Sequence, residues 1–142
     1  MENLNSQTKG RITELKVANA FLELGYIISQ PLVDTRYDYL VEINNKIYKI
    51  QVKTASLYNG CIKFSTANTH TNTQGTVRKT YKNEIDFFAT IYENKCYLIP
   101  VDECGSSNKS LRLELPKDGI AKKNMVWAKD YELKEVINRL PD

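Results

Sequence analysis

The sequence has one histidine, His70, three cysteines with no CxxC spacing, and six glycines, none in GxGxxG or GxxxxGK order. A single histidine excludes HExxH zinc chemistry and any multi-histidine metal site, and leaves Ser/His/Asp or Cys/His catalysis one candidate on a polar stretch. A metal, if one is used, must then be a hard cation held by oxygens. Without a glycine-rich phosphate loop, nucleotide-cofactor chemistry has no support. An odd cysteine count (Cys61, Cys96, Cys104) suits a reducing cytosol and argues against a disulfide framework or a zinc ribbon. No apolar run approaches the ~20 residues of a membrane span. The opening MENLNSQTKGRITEL lacks the apolar core of a signal peptide, so the expected location is cytoplasmic. At 142 residues, without a Pro/Gly/Ser linker or an internal repeat, residues 1–142 are expected to form one domain.

Acid is missing from one long stretch. Between Asn44 and Asn83 there is no Asp or Glu, whereas Lys46, Lys49, Lys53, Lys63, Arg78, Lys79 and Lys82 are all basic. The net charge of +3 therefore conceals an electropositive segment inside an acidic remainder. Such a segment fits a phosphate-facing surface, and nucleic acid is the partner it points to. Lys49, Lys63, His70, Arg78, Lys79 and Lys82 are the candidate DNA contacts. Within it, residues 67–80 (ANTHTNTQGTVRKT) read as a polar loop whose Asn68, His70, Asn72, Gln74, Arg78 and Lys79 are types that bond base edges and phosphates. The alternative is a solvated face whose counter-charges come from other segments.

Apolar residues Ile12, Leu15, Ala18, Phe21 and Leu22 recur at helical spacing over 6–24, and Gly25 is placed to stop that helix. Tyr26–Ile28 reads as a short strand. Residues 37–43 and 46–54 read as strands around Asn44-Asn45, a pair that tolerates the positive φ of a tight hairpin. Residues 61–66 read as another strand, 87–92 and 95–101 as a second hairpin around Glu93-Asn94, and 110–115 as an edge strand ended by Pro116. Asp130 is expected to cap a last helix with Leu133, Val136, Ile137 and Leu140 on one face. This order predicts an α/β or α+β fold with a mixed sheet flanked by helices.

The IQVKT run at 50–54 places Ile50 and Val52 on one strand face and Gln51 and Lys53 on the other. A two-residue turn at Asn44-Asn45 sets Ile43 opposite Lys46, and hence Asp38 opposite Gln51, with Lys53 two residues on. A carboxylate, an amide oxygen and an ammonium then meet on one small patch. Glu14, beside Leu15 and Ala18 on the first helix, is expected to reach the same rim. Phosphodiester hydrolysis wants such a set: oxygens for a hard cation, and a cation beside it to orient water and offset growing charge. The alternative is a surface cross-strand ion-pair neighbourhood.

Glu14, Asp38 and Gln51-Val52-Lys53 in a strand–turn–strand setting, with YDYLVE, IQVKT and the later IDFFATIY hairpin, resemble the PD-(D/E)XK nuclease superfamily. The similarity is strongest to bacterial intron-encoded homing endonucleases with a Q-x-K variant, and next to archaeal junction resolvases. It covers roughly residues 8–102. The resemblance implies a restriction-endonuclease-like core and a Mg²⁺-dependent DNA endonuclease, with Mn²⁺ as substitute. It implies Asp38, Gln51 and the Val52 carbonyl as metal ligands, Lys53 as the water-positioning residue, and Glu14 as an accessory acid. Tyr37 stands where the motif has proline, and Gln51 replaces the usual acid. The open alternatives are a Holliday-junction resolvase, a DNA-binding protein that no longer cuts, and an interaction module unrelated to nucleic acid. A chain of this length has a diameter of about 37 Å, roughly 11 base pairs of duplex. One site cuts one strand, so a homodimer or homotetramer is expected.

Overall fold

The computed structural model describes residues 3–72, 75–79, 81–119 and 125–142, with the backbone alone for 68–72 and 75–79. Helix α1 spans Ser6–Glu23. Asn5 caps it, its side-chain oxygen accepting from the Thr8 N–H at 2.8 Å. It ends where Gly25 takes φ +86°, with Gly25 N–H donating to Leu22 and Tyr26 N–H to Phe21. That six-to-one and five-to-two pair is a Schellman stop, accompanied by the edge-on contact of the Phe21 and Tyr26 rings.

The strands that follow are β1 (Ile27–Ser29), β2 (Tyr39–Ile43), β3 (Lys46–Val52), β4 (Ser56–Tyr58), β5 (Cys61–Ser65), β6 (Asn68–Asn72), β7 (Gly75–Lys79), β8 (Phe87–Tyr92), β9 (Lys95–Pro100) and β10 (Asn108–Arg112). Helix α2 is Leu133–Asn138. Five strands form the main sheet in the order β1-β2-β3-β8-β9, antiparallel except for the parallel β3–β8 pair, so the sheet is mixed as expected. A three-stranded sheet, β10-β5-β4, and the β6–β7 ribbon complete the strands.

Both tight hairpins form. Asn44 and Asn45 have φ of 54° and 65°, and the register runs Ile43↔Lys46 to Tyr39↔Ile50 as the two-residue turn requires. Glu93 and Asn94 make the equivalent turn at 47° and 65°.

Two apolar cores sandwich the main sheet. On one face Tyr39, Val41, Ile43, Tyr48, Ile50 and Val52 meet Val17 and Phe21 of α1 and Val136 and Ile137 of α2. On the other, Phe88, Tyr97 and Ile99 meet Ile62, Phe64 and Leu111 of the smaller sheet. The helices thus flank one face of the sheet, and strands cover part of the second.

Several local expectations need correcting. The buried stripe of α1 is Thr13, Val17 and Phe21, whereas Leu15 and Leu22 are more than half exposed. Thr13 enters the interior because its hydroxyl has partners there, donating to the Lys9 carbonyl and lying 3.3 Å from the Thr54 hydroxyl. Residues 68–72 and 75–79 are a strand pair rather than a loop: their many threonines favour extended backbone. Gln74 lies outside the described residues. Asp130 is not the α2 cap; it sits in a preceding 3₁₀ turn, and Glu132 occupies the cap position without a side-chain bond. The edge strand begins at Asn108, pairing Asn108↔Ser65, two residues earlier than expected.

Candidate active site

β2 enters and β3 leaves the sheet at the same end, which brings the residues just outside them together. Asp38 precedes β2, and its N–H donates to the Ile50 carbonyl at 2.8 Å. Its carboxylate Oδ2 accepts from the Val52 N–H at 2.8 Å. The acid is thereby fastened to the backbone of the Gln51-Val52-Lys53 strand, one residue from the lysine. Gln51 and Lys53 are half-buried. Gln51 pairs in parallel with Phe88, and the Lys53 N–H donates to the Ala89 carbonyl at 2.9 Å, so β8 fixes this end of β3 from its other side.

Helix α1 brings Glu14 to the rim from the opposite face. The Tyr39 hydroxyl donates to the Glu14 carbonyl at 3.0 Å, and the Thr13–Thr54 contact pins the same turn of helix to the segment after β3. Glu14 is also 3.2 Å from the exposed Arg11 guanidinium. Even so, partial burial and then the charge of Asp38 push its carboxyl above the ordinary range. The Asp38 carboxylate is therefore held close enough to oppose the ionisation of Glu14.

Lys53 extends to Tyr81. Its Nζ lies 3.3 Å from the Tyr81 hydroxyl and 5.0 Å from the ring centroid. Burial lowers the pKa of the ammonium, while Asp38 acts in the opposite direction. Burial likewise raises the Tyr81 phenol. Tyr81 carried no sequence signal as a neighbour of Lys53, because the two belong to segments 28 residues apart.

The four proposed catalytic positions, Glu14, Asp38, Gln51 and Lys53, thus share one rim, with the Val52 backbone between the last two. The basic candidates are more scattered. Lys49 is exposed on the same strand face as Gln51, its Nζ 5.5 Å from the Tyr37 ring, and its N–H donates to Asp86. Lys82 is exposed next to Tyr81. Lys63 belongs to the smaller sheet, over the Tyr58 ring at 5.1 Å. His70, Arg78 and Lys79 fall in the ribbon, where His70 pairs with Val77, Arg78 with Thr69 and Lys79 with Asn68; their side chains lie outside the described atoms. Arg36, two residues before Asp38, is a basic neighbour that the acid-free stretch did not include. It pairs with Glu84 at 2.9 Å.

The cysteines take no part. Burial pushes the Cys96 thiol up to about 12 and Cys104 to about 11, which leaves both as inert thiols at neutral pH.

The mixed sheet, the acid fastened to a Q-x-K strand and the helix-borne second acid define a nuclease with a restriction-endonuclease-like fold. The chain belongs to the PD-(D/E)XK endonuclease family, whose model matches residues 4–134. Its structure is similar to that of a bacterial homing endonuclease, I-Ssp6803I, with a TM-score of 0.74 and 25% identity over 95% of this chain and 93% of the other. No curated protein sequence matches it.

The donor set suits a hard divalent cation. Among the described residues no group of three or more His, Cys, Asp or Glu side chains gathers that could hold a metal ion. Glu14 and Asp38 could supply two carboxylates, Gln51 an amide oxygen and Val52 a carbonyl. One or two carboxylates with water and substrate phosphate is the usual company of Mg²⁺. The Glu14 carboxyl is raised by burial and then by the Asp38 charge, and a dication bound at this rim would offset the second of these.

Proposed function

We propose that the protein is a Mg²⁺-dependent DNA endonuclease of the homing type, cutting double-stranded DNA at a specific sequence as a homo-oligomer inside the cell. Mn²⁺ is expected to replace Mg²⁺. The observation that carries this reading is the bond from the Val52 N–H to the Asp38 carboxylate. It fastens an acid to the backbone of the strand that carries Lys53. The likeness to a homing endonuclease over nearly the whole of both chains supports the finer assignment.

In this reading Asp38, the Gln51 amide oxygen and the Val52 carbonyl hold the cation, with Glu14 as an accessory acid. The chemistry such a cation supplies when bound is polarisation of the scissile phosphate and acidification of water, worth several kcal/mol. Lys53 orients the attacking water and offsets charge growing on the phosphoryl oxygens. Partial burial strengthens that interaction by excluding solvent. Lys49, two residues before Gln51, and Lys82, next to Tyr81, contact the DNA backbone; His70, Arg78 and Lys79 follow the duplex from the ribbon, and Lys63 adds a contact from the smaller sheet. One rim cuts one strand, so two copies related by a two-fold axis deliver a double-strand break.

A second reading has its own observation. With glutamine at 51, the rim has no third acid among the described residues, and a DNA-binding protein that does not cut would have the same fold. Both are tested by incubating purified protein with a long, sequence-rich duplex and with a four-way junction, in Mg²⁺, Mn²⁺ or EDTA. Metal-dependent cutting of the duplex, lost in Asp38→Ala, is the expected result. Preference for the junction would make it a resolvase. Salt-sensitive binding without cutting of either would favour the inactive binder.

A further inference from the structure

A lysine has a long stem with several rotatable bonds, and a catalytic ammonium must be held in one place. Asp38 is the acid next to Lys53 and would be expected to capture it. Among the described residues, however, the ion pairs are Arg11–Glu14, Arg36–Glu84 and Lys95–Glu132, and Lys53 is not paired with Asp38. The group that holds it is Tyr81, through the hydroxyl at 3.3 Å and the ring at 5.0 Å. Tyr81 is suited to this by its own fixation. It is only 7% exposed, its ring meets Phe88 edge-on at 5.3 Å, and its carbonyl accepts from the Glu84 N–H at 2.9 Å. Phe88 is in turn the parallel partner of Gln51, so the support for Tyr81 and the strand carrying Lys53 are one packed unit.

We propose that Tyr81 is a positioning residue for Lys53: it holds the ammonium away from Asp38, leaving the carboxylate for metal and two ammonium N–H groups for water and phosphate. This rests on the nuclease reading. A purely apolar residue at 81 would fill the same core but give the ammonium no acceptor. The ammonium would then collapse onto Asp38, weakening both groups' roles without altering the DNA-binding surface.

The test is single-turnover cleavage in Mg²⁺ across a range of DNA concentrations, with thermal unfolding measured in parallel. Tyr81→Phe keeps the ring and removes the acceptor. It should lower the maximal rate roughly tenfold, as expected for loss of a bond to a charged group, with the half-saturating DNA concentration and Tm unchanged. Tyr81→Leu also removes the ring and should be slower still at the same half-saturation; if it fails to fold, the phenylalanine variant decides the matter. A Tyr81→Phe enzyme that cuts as fast as wild type overturns the inference, as does a loss confined to half-saturation or Tm, which would mark Tyr81 as structural only. Wild-type protein that cuts no DNA overturns the nuclease reading and this inference with it, so the two failures are distinguishable.

Discussion

The β2–β3 and β8–β9 hairpins lie side by side in one sheet and turn through nearly identical backbone angles, yet only the first carries candidate chemistry. The second contributes to both cores, with Phe87, Ala89, Cys96 and Leu98 towards the helices and Phe88, Tyr97 and Ile99 towards the smaller sheet. The first contributes to the helix-side core alone. Its other face runs from exposed Ile47 and Lys49 to half-buried Gln51 and, just beyond the strand, Lys53. A polar group on a fully covered face would need a complete set of internal partners. At the edge of the cover it keeps access to solvent and ligand while its surroundings are dry enough to strengthen electrostatics. Here that edge is the end of β3.

Mutations should separate the two hairpins. The largest effect is expected for Asp38→Ala: cleavage should fall by about three orders of magnitude, while stability, read by urea unfolding, should drop only about 1 kcal/mol for the orphaned Val52 N–H. Leu98→Ala, at a fully buried position of the second hairpin, should do the reverse. A loss of about 3 kcal/mol is expected, lowering Tm by about 10 °C, with the rate per folded molecule unchanged. Lys53→Met should slow single-turnover cleavage about a hundredfold; it should not destabilise the fold, because burial already disfavours that ammonium. Thr13→Val should cost about 1 kcal/mol through the lost Thr54 contact and should slow cutting modestly by loosening the helix that carries Glu14. Leu15→Gln, on the exposed side of the same helix, should alter stability by less than about 0.5 kcal/mol; a large loss would mean that this face is covered in solution.

The same contrast explains what the sequence disclosed. The Asn44-Asn45 turn and the period-two alternation are local signals, and together they fix the register that sets Asp38 beside the Gln51-Val52-Lys53 strand. Gly25 is local too, and it ends α1 where expected. The buried face of α1 was not legible, because Thr13 looks polar until Thr54 is brought across to it, while Leu15 and Leu22 look like core. Tyr81 reads as one more aromatic until the β3–β8 parallel pairing sets Phe88 beside Gln51 and the tyrosine over Lys53. The ribbon strands at 68–72 and 75–79 have polar residues on both alternating sets, so no hydrophobic period announced them. Long-range pairing, rather than local preference, supplied the buried face of α1 and the place of Tyr81.

The most direct test is to compare wild type, Asp38→Ala and Leu98→Ala in one assay on the same duplex, with Mg²⁺ or EDTA and rates corrected for folded fraction. The account predicts that wild type and Leu98→Ala cut at equal corrected rates in Mg²⁺, that neither cuts in EDTA, and that Asp38→Ala is inactive while folded. Undiminished metal-dependent cutting by Asp38→Ala would contradict the assignment of the β2–β3 rim as the active site.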